Sequence, residues 1–191
     1  MNLNHIAKKP FFDLFYRSPC MAQLLRLAYQ DSGIFSRSNR AACSRALIHY
    51  QAELDRPENS GLQFAMEQIE ELKEDGNHIT AMLSRSDLIQ LGGYAAVEYT
   101  GGPSMVFRMG REDGEEKDIV HGDSNQDLIE KVQANGFSKR EFVAMLGSHT
   151  IGFANMDNAG SQNRWTQNPH TFDNSYFKEV LLGDRSKFLK T

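Results

Sequence analysis

FVAMLGSHTIGFANMDNAGSQNRWTQNPHTFD, from Phe142 to Asp173, is the stretch around which the rest of this 191-residue chain is organised. Apolar residues from Phe142 onward repeat at helical spacing, and Ser138 to Glu141 has the S-x-x-E pattern of a capping box that starts a helix. Gly147 and Gly152 bracket His149. We therefore expect the helix to end near this histidine.

The chemical environment of His149 allows two interpretations. A single imidazole at a helix end, beside small residues, suits axial ligation of a flat cofactor. A histidine that follows an apolar helix also occurs as a hydrogen-bonded core or capping residue. The residues alone leave both interpretations open.

Composition and length limit the class of protein. Hydrophobic residues make up 40% of the chain and charged residues 24%, which is typical of a soluble globular protein, and the length predicts a single domain over 1–191. The net charge of −4 does not favour binding to nucleic acid. No apolar run approaches the roughly 20 residues of a transmembrane segment. The only cysteines, Cys20 and Cys43, indicate a reducing, intracellular compartment.

Apolar periodicity predicts six helices, and strand-like alternation is nearly absent, so the predicted fold class is all-α. The predicted helices run from Asp13 to Asp31 with Pro19 marking the true start, from Asn59 or Ser60 to Gly76, from Ser86 through Val97, from Ser124 to Gly136, from Ser138 to His149, and from Asp173 or Asn174 through Leu181. Ile34 to Tyr50 is predicted to be a surface loop. Gly92 and Gly93 inside the third helix indicate that another element packs closely there.

Five segments together resemble the class I haem peroxidases, particularly the ascorbate peroxidases. LLRLAYQDSG resembles the distal helix, and QAELDRPENSGL the segment that supports it. DLIQLGGYAAVEYTGGPSMVFRMGRED resembles a further family stretch, FVAMLGSHTIG the proximal-histidine motif, and RWTQNPHTFDNSYF the segment carrying the proximal tryptophan. They occur in family order from about Met21 to Leu182. The resemblance implies the mainly helical haem-peroxidase fold, with haem b between a distal and a proximal half.

On the proximal side, the resemblance makes His149 the axial ligand of the haem iron and Trp165 the tryptophan packed against it. Five oxygen-bearing residues match a site for potassium or another monovalent cation, namely Thr150, Thr166, Asn168, Thr171 and Asp173. The alternative is that Trp165 is only a core aromatic residue and that the threonines and the asparagine only satisfy loop backbone.

On the distal side, the resemblance is incomplete. Arg26 matches the arginine that stabilises charge on peroxide, but Tyr29 and Gln30 stand at the tryptophan and histidine positions. A carboxamide is too weak a base to take the peroxide proton. Asn59 matches the asparagine that orients the distal histidine, so we expect it to hold Gln30. The alternative for Arg26 is a structural pairing with a carboxylate.

Two further departures concern the electron donor and the end of the chain. Asn158 replaces the arginine that binds ascorbate and Asn155 a contact to a haem propionate, so the resemblance does not support ascorbate as the donor. The family continues past the segment matched by Leu182, and no residue here corresponds to its aspartate on the second nitrogen of the axial histidine. We expect the fold to lack part of the C-terminal proximal helices, and a protein partner or second peroxidase-like chain to cover the exposed apolar surface.

The sequence therefore predicts an ascorbate-peroxidase-like, haem-binding homologue with weak or lost reduction of hydrogen peroxide, as a weak enzyme or a pseudoenzyme. The alternative is a catalytically inactive structural subunit of a larger complex, with or without haem. Nothing in the residues favours a third reading, a haem or cation sensor. The resemblance favours a mitochondrion or plastid within the intracellular compartments, with the cytosol as the alternative.

Overall fold

A computed structural model describes residues 3–32, 44–75, 78–119, 128–154 and 164–183. Over these ranges the chain forms nine α-helices and no β-strand, apart from one isolated bridge between Phe153 and Arg164. The helices are α1 (Leu3–Arg17), α2 (Met21–Ser32), α3 (Gln51–Leu54), α4 (Gln63–Glu74), α5 (His78–Met82), α6 (Arg85–Tyr99), α7 (Leu128–Ala134), α8 (Lys139–Leu146) and α9 (Ser175–Leu182). Short 3-10 turns occupy Leu47–His49, Pro57–Asn59, Glu116–Asp118 and Gly147–Thr150. The all-α prediction is confirmed, and no described helix has the length and apolar character needed to cross a membrane.

The first predicted helix is in fact two helices. Asp13 lies inside α1, which the sequence analysis did not predict, whereas α2 begins at Met21. Pro19 separates them, because proline lacks an amide hydrogen and disfavours helical backbone in the residue before it. The buried apolar side chains of α1 fall on one helical stripe, formed by Ala7, Phe11, Leu14 and Phe15.

Helix α6 is the centre of the core, and it packs chiefly against α2 and also against α1 and α4. A Cβ atom added to Gly92 would lie 3.1 Å from the Phe11 ring of α1, and one added to Gly93 would lie 2.8 Å from the Cβ of Ala28 on α2. The prediction of close packing at the two glycines is therefore confirmed. It explains why the helix tolerates their unfavourable helical propensity.

Helix α6 starts at Arg85, one residue earlier than predicted. Ser84 is the N-cap, and its hydroxyl accepts the Asp87 N–H at 3.0 Å. The carboxylate of Asp113 accepts the main-chain N–H groups of Arg85 and Ser86 at 3.1 and 2.8 Å. An acidic group at this end also interacts favourably with the helix dipole. The segment 110–113 is thus joined to the start of the central helix α6.

The segment before α3 is not the surface loop that the sequence predicted. Residues 34–43 lie outside the described ranges, but Ala46, Leu47 and Ile48 are buried. Ala46 adopts a left-handed backbone, with φ of 56°, and this turns the chain so that its apolar neighbours face inward.

The second predicted helix has the expected buried face but a later start. Its apolar stripe is confirmed as buried, at Leu62, Ala65, Met66, Ile69 and Leu72. Helix α4 starts only at Gln63, with Leu62 as its N-cap, so the prediction of Asn59 or Ser60 as the cap is wrong. Asn59 lies instead in the preceding 3-10 turn, where its side chain bonds to Glu53.

The C-terminal helices follow the predicted pattern, although Ser124, the expected start of α7, lies outside the described residues. The capping box of α8 is confirmed, because Ser138 Oγ accepts the Glu141 N–H at 3.2 Å and Glu141 Oε2 accepts the Ser138 N–H at 2.7 Å. Helix α8 ends at Leu146, so His149 lies in the 3-10 turn that follows. Neither α8 nor α9 has a fully buried side chain among the described residues.

Candidate functional site

The imidazole of His149 is half-buried in the 3-10 turn after α8. Its Nδ1 lies 3.0 Å from the main-chain oxygen of Leu146. A carbonyl can only accept, so Nδ1 carries the hydrogen in this bond, and in the neutral ring Nε2 keeps its lone pair. The turn therefore fixes the tautomer that leaves Nε2 available to a metal, and it supplies the outer hydrogen-bond partner that metal-binding histidines usually have.

Two aromatic rings flank this imidazole. The Trp165 ring is 5.2 Å from it, centroid to centroid, and meets it edge-on at 78°. The Tyr176 ring, from α9, lies 5.3 Å away at only 26°, in a stacked arrangement. Gly147 leaves room for this cluster, because a Cβ there would approach Phe177 Cε2 to 2.9 Å. The structure thus brings Trp165 against His149, and it adds Tyr176, which the sequence analysis did not name as a site residue.

The five residues of the candidate cation site form one hydrogen-bonded cluster. The Thr150 hydroxyl donates to Asp173 Oδ1 at 2.9 Å and is 3.4 Å from the Thr171 carbonyl oxygen. The Thr166 hydroxyl donates to the Thr150 carbonyl at 2.9 Å, and Asn168 Nδ2 donates to Thr171 Oγ1 at 2.7 Å. The oxygens that would bind a cation are therefore adjacent.

Asp173 is the anionic member of this cluster. The main-chain N–H and the hydroxyl of Ser175 hold the pKa of its carboxyl below the usual range, with a smaller contribution from the Thr150 hydroxyl. A carboxylate with hydroxyl and carbonyl oxygens is a ligand set suited to hard cations. The same oxygens also satisfy loop backbone, as where Asn168 Oδ1 accepts the His170 N–H at 3.3 Å.

The distal candidates lie on α2, and two of them contact the turn at 57–60. Arg26 Nη1 donates to the Ser60 carbonyl at 2.9 Å, and Arg26 Nη2 donates to the Glu58 carbonyl at 2.6 Å. Gln30 Nε2 donates to the same Glu58 oxygen at 3.0 Å. Tyr29 keeps 44% of its surface exposed, and burial of the remainder raises the pKa of its hydroxyl.

The expectation that Asn59 holds Gln30 is wrong. Asn59 is buried, and its Nδ2 donates to the Glu53 carbonyl at 2.7 Å, whereas the Gln30 amide is directed to Glu58. Asn59 Oδ1 is buried without a hydrogen-bond partner in the described part of the chain. The two amides thus bond to carbonyls of different elements, Glu53 in α3 and Glu58 in the 3-10 turn that follows.

The proximal turn contacts the distal helix directly. Gly152 has φ of +90°, and a Cβ there would lie 2.6 Å from the Cβ of Ala22 on α2. The N–H of Gly152 also donates to the Pro169 carbonyl at 2.8 Å, which joins the loop of the oxygen cluster to the turn that carries His149. Asn155 and Asn158 lie outside the described residues.

Sequence reasoning missed one buried acid beside the distal residues. Asp31 follows Gln30 on α2 and is only 2% exposed, and neither of its carboxylate oxygens makes a hydrogen bond of ordinary geometry within the described ranges. Burial raises the pKa of Asp31 to about 7, although main-chain N–H groups at Ala46 and Ile48 and the Gln90 amide oppose the shift. Its place on the apolar stripe of α2, three residues after Ala28, was the signal available.

Comparisons with known proteins identify the family of this chain. The family model described as Peroxidase matches residues 7–188. L-ascorbate peroxidase 1, cytosolic, from Oryza sativa subsp. indica is 34% identical over 191 residues, covering 96% of this chain and 74% of the relative. L-ascorbate peroxidase 5, peroxisomal, from Arabidopsis thaliana is 35% identical over 175 residues, covering 90% of this chain and 61% of the relative.

A third relative, L-ascorbate peroxidase 3 from Arabidopsis thaliana, is 35% identical over 191 residues, covering 96% of this chain and 64% of its own length. The matches therefore extend over nearly all of this chain but over only part of each relative. The chain belongs to the peroxidase family, in its ascorbate-peroxidase-like branch.

Proposed function

We propose that this chain is a haem-binding peroxidase homologue in which reduction of hydrogen peroxide is weak or lost. The observation that carries the proposal is the state of His149. Its Nδ1–H donates to the Leu146 carbonyl, so Nε2 is the nitrogen free to coordinate iron. The family cofactor is haem, and a histidine held in this tautomer fits the axial role.

The proximal residues would hold the cofactor in a fixed orientation. His149 would coordinate, the Leu146 carbonyl would keep the ring in one tautomer, and Trp165 would pack against the ring edge. Haem, when bound, supplies the iron centre at which peroxide is reduced.

The distal residues favour slow reduction of hydrogen peroxide. Peroxide cleavage requires a group that takes a proton from one oxygen and returns it to the other. The Gln30 carboxamide has no basic lone pair for this, and its amide group donates to Glu58. Arg26, the candidate for stabilising negative charge, donates to two carbonyls of the same turn. Loss of a positioned general base typically costs roughly 10²–10⁴ in rate.

The oxygen cluster beside His149 is the proposed site for potassium or another monovalent cation. Thr150, directly after His149, donates to Asp173, whose charge is maintained by the low pKa of its carboxyl. A hard cation of low charge matches one carboxylate with neutral oxygens. Cation binding would replace the hydrogen bonds that these oxygens make to one another.

Location and electron donor are proposed on narrower grounds. Relatives named as cytosolic and peroxisomal support an intracellular location. A mitochondrion or plastid rests on the family resemblance alone. The relatives are named for ascorbate, but Asn158 stands where the resemblance places the arginine that binds it. We therefore do not propose ascorbate as the donor.

A fluorescence titration tests haem binding. Trp165 is the only tryptophan of the chain and contacts His149, so its emission reports on this site alone. We expect added haem to quench the emission saturably, at one haem per chain, while a Soret band develops. Quenching that never saturates, with the spectrum of free haem unchanged, would contradict the proposal.

The second candidate function is an inactive structural subunit whose partner is a second peroxidase-like chain. Its support is the apolar surface of α8 and α9, where Val143 is 52% exposed and Leu181 and Leu182 are each 84% exposed. Exposed apolar patches commonly mark interaction sites. Analytical ultracentrifugation with a co-expressed ascorbate peroxidase tests it: a complex that Leu181→Lys with Leu182→Lys abolishes supports the role, and a monodisperse, active monomer rules it out.

A further inference from the structure

Two histidines of this chain are held in the same way. His149 has Nδ1 3.0 Å from the carbonyl oxygen of Leu146, three residues earlier, and His49 has Nδ1 2.6 Å from that of Ala46, also three residues earlier. Each imidazole also lies against a tyrosine ring. The ring centroids of His49 and Tyr50, its neighbour in sequence, are 3.9 Å apart. The ring stacked on His149 belongs to Tyr176, which lies on a separate helix, α9.

The hydrogen bond to Leu146 sets the tautomer of His149 but not the full orientation of its ring. The χ2 angle of histidine is a torsion between sp³ and sp² atoms, which has broad, shallow wells. The lone pair of Nε2 lies in the plane of the imidazole ring. The orientation of the ring therefore decides where Nε2 can bind a metal. A contact with the face of the imidazole is therefore needed to restrict this rotation.

Tyr176 provides that contact from a fixed position. It is the second residue of α9, and its ring is stacked on the imidazole at 26° while Phe177 packs edge-on against it, 5.6 Å away. The start of α9 is attached to the turn of His149, because Asp173 Oδ1 accepts both the Ser175 N–H at 2.8 Å and the Thr150 hydroxyl at 2.9 Å.

We infer that Tyr176 is a positioning residue that fixes the plane of the His149 imidazole for coordination by Nε2. This inference rests on the proposed haem site but concerns the chain's own residues. The face of the ring performs the function, so an aromatic ring at 176 is required and its hydroxyl is not. The oxygen cluster is the structure that aligns this ring, through Asp173 and the start of α9.

The test compares Tyr176→Leu, which removes the ring, with Tyr176→Phe, which keeps it. Tyr50→Leu is the matched control, because it removes the same kind of ring from the other histidine. Ring protons above an aromatic face are shifted upfield, so the carbon-bound ring protons of His149 in the haem-free chain report the stacking by NMR. Haem affinity, measured by Soret titration, is the second readout.

We expect Tyr176→Leu to move the His149 ring resonances downfield and to weaken haem affinity roughly 10-fold, the lower end of the range for loss of an outer-shell partner. Tyr176→Phe should leave both readouts unchanged. Tyr50→Leu should move only the His49 resonances. Wild-type nuclear Overhauser contacts between the rings of His149 and Tyr176 are also expected, and they require no variant to fold.

Absence of those contacts in the wild-type chain would overturn the inference, as would Tyr176→Leu leaving the His149 resonances in place. Equal losses of haem affinity in Tyr176→Leu and Tyr50→Leu would show a general effect on stability instead, and would also overturn it. Failure of the proposed haem site can be distinguished from failure of this inference, because the NMR comparison uses the haem-free chain. Normal stacking with no haem binding by any variant would reject the haem site while preserving the ring contact.

Discussion

Arg26 and Gln30, one helical turn apart on α2, donate hydrogen bonds to the same main-chain oxygen, that of Glu58, at 2.6 and 3.0 Å. The two distal candidates therefore attach the distal helix to the turn at 57–60. Arg26 reinforces this attachment through the Ser60 carbonyl at 2.9 Å. These contacts give both side chains a structural role whether or not peroxide reacts beside them.

Replacing Arg26 tests this structural role. Hydrogen bonds to charged groups typically contribute about 1.5–3 kcal/mol, so we expect Arg26→Met to lower the free energy of unfolding by about 2 kcal/mol in urea denaturation. Arg17→Met is the control, since Arg17 is exposed and the hydrogen bond from its Nε to the Asp13 carbonyl is long, at 3.4 Å. Equal stability of the Arg26 variant and the wild type would show that the attachment contributes little.

The Gln30→His variant tests whether the missing distal base limits activity. An imidazole can accept the peroxide proton and return it, so the haem-loaded variant should react with hydrogen peroxide roughly 10²-fold faster than the wild type in stopped-flow measurements. Gln23→His places the same imidazole at an exposed position on α2 and should have no effect. If Gln30→His reacts with hydrogen peroxide no faster than this control, the missing distal base does not limit activity, and the limit lies on the proximal side.

The buried Asp31 predicts an unusual dependence of stability on pH. Burial raises its pKa to about 7 in the folded chain, above the ordinary value of an aspartate in the unfolded chain, so folding favours its neutral form. The stability that it contributes is therefore fully present below pH of about 4. It is lost as pH rises towards 7, at no more than about 1.4 kcal/mol per pH unit.

Asp31→Asn removes this dependence while keeping the shape of the side chain. We expect the variant to become more stable relative to the wild type as pH rises from about 4 to 7, measured by denaturation across that range. Asp55→Asn, at an exposed carboxylate, is the control for general charge effects. A stability difference that does not change with pH would mean that Asp31 titrates normally.

The oxygen cluster predicts selective stabilisation by potassium. A ligand that binds only the folded state raises the melting temperature, so potassium chloride should stabilise the wild type more than tetramethylammonium chloride at equal ionic strength. Asp173→Asn should abolish this difference, because it removes the only carboxylate of the cluster. Asp55→Asn should retain the difference. A wild-type chain that responds identically to both salts has no cation site of this kind.

The parts of the fold that were predicted correctly depend on local patterns. The buried stripe from Leu62 to Leu72 and the capping box at Ser138 are set by residues within one or two helical turns of each other. Helix α1 was missed because its sequence mixes apolar residues with Lys8 and Lys9. The buried Lys8 donates to the Glu98 carboxylate, 90 positions later, and to the Met105 carbonyl at 3.1 Å.

The site residues that lie within a sequence motif were predictable. The contacts between residues of separate segments were not. His149, Trp165 and the five oxygen residues were found from the resemblance, and the structure places them together. The Tyr176 stacking and the attachment of Arg26 and Gln30 to Glu58 depend on packing between separate segments, which no local pattern encodes. The expected Asn59–Gln30 contact failed for this reason, since each side chain found a nearer main-chain acceptor.

The absorption spectrum of the haem-loaded chain tests the central claim most directly. With His149 as the axial ligand, we predict a Soret band for the wild type that shifts or disappears in His149→Ala and is unchanged in His49→Ala, the matched histidine of the other turn. Spectra that are the same for the wild type and His149→Ala would contradict the account, because they would show that this histidine does not coordinate the iron.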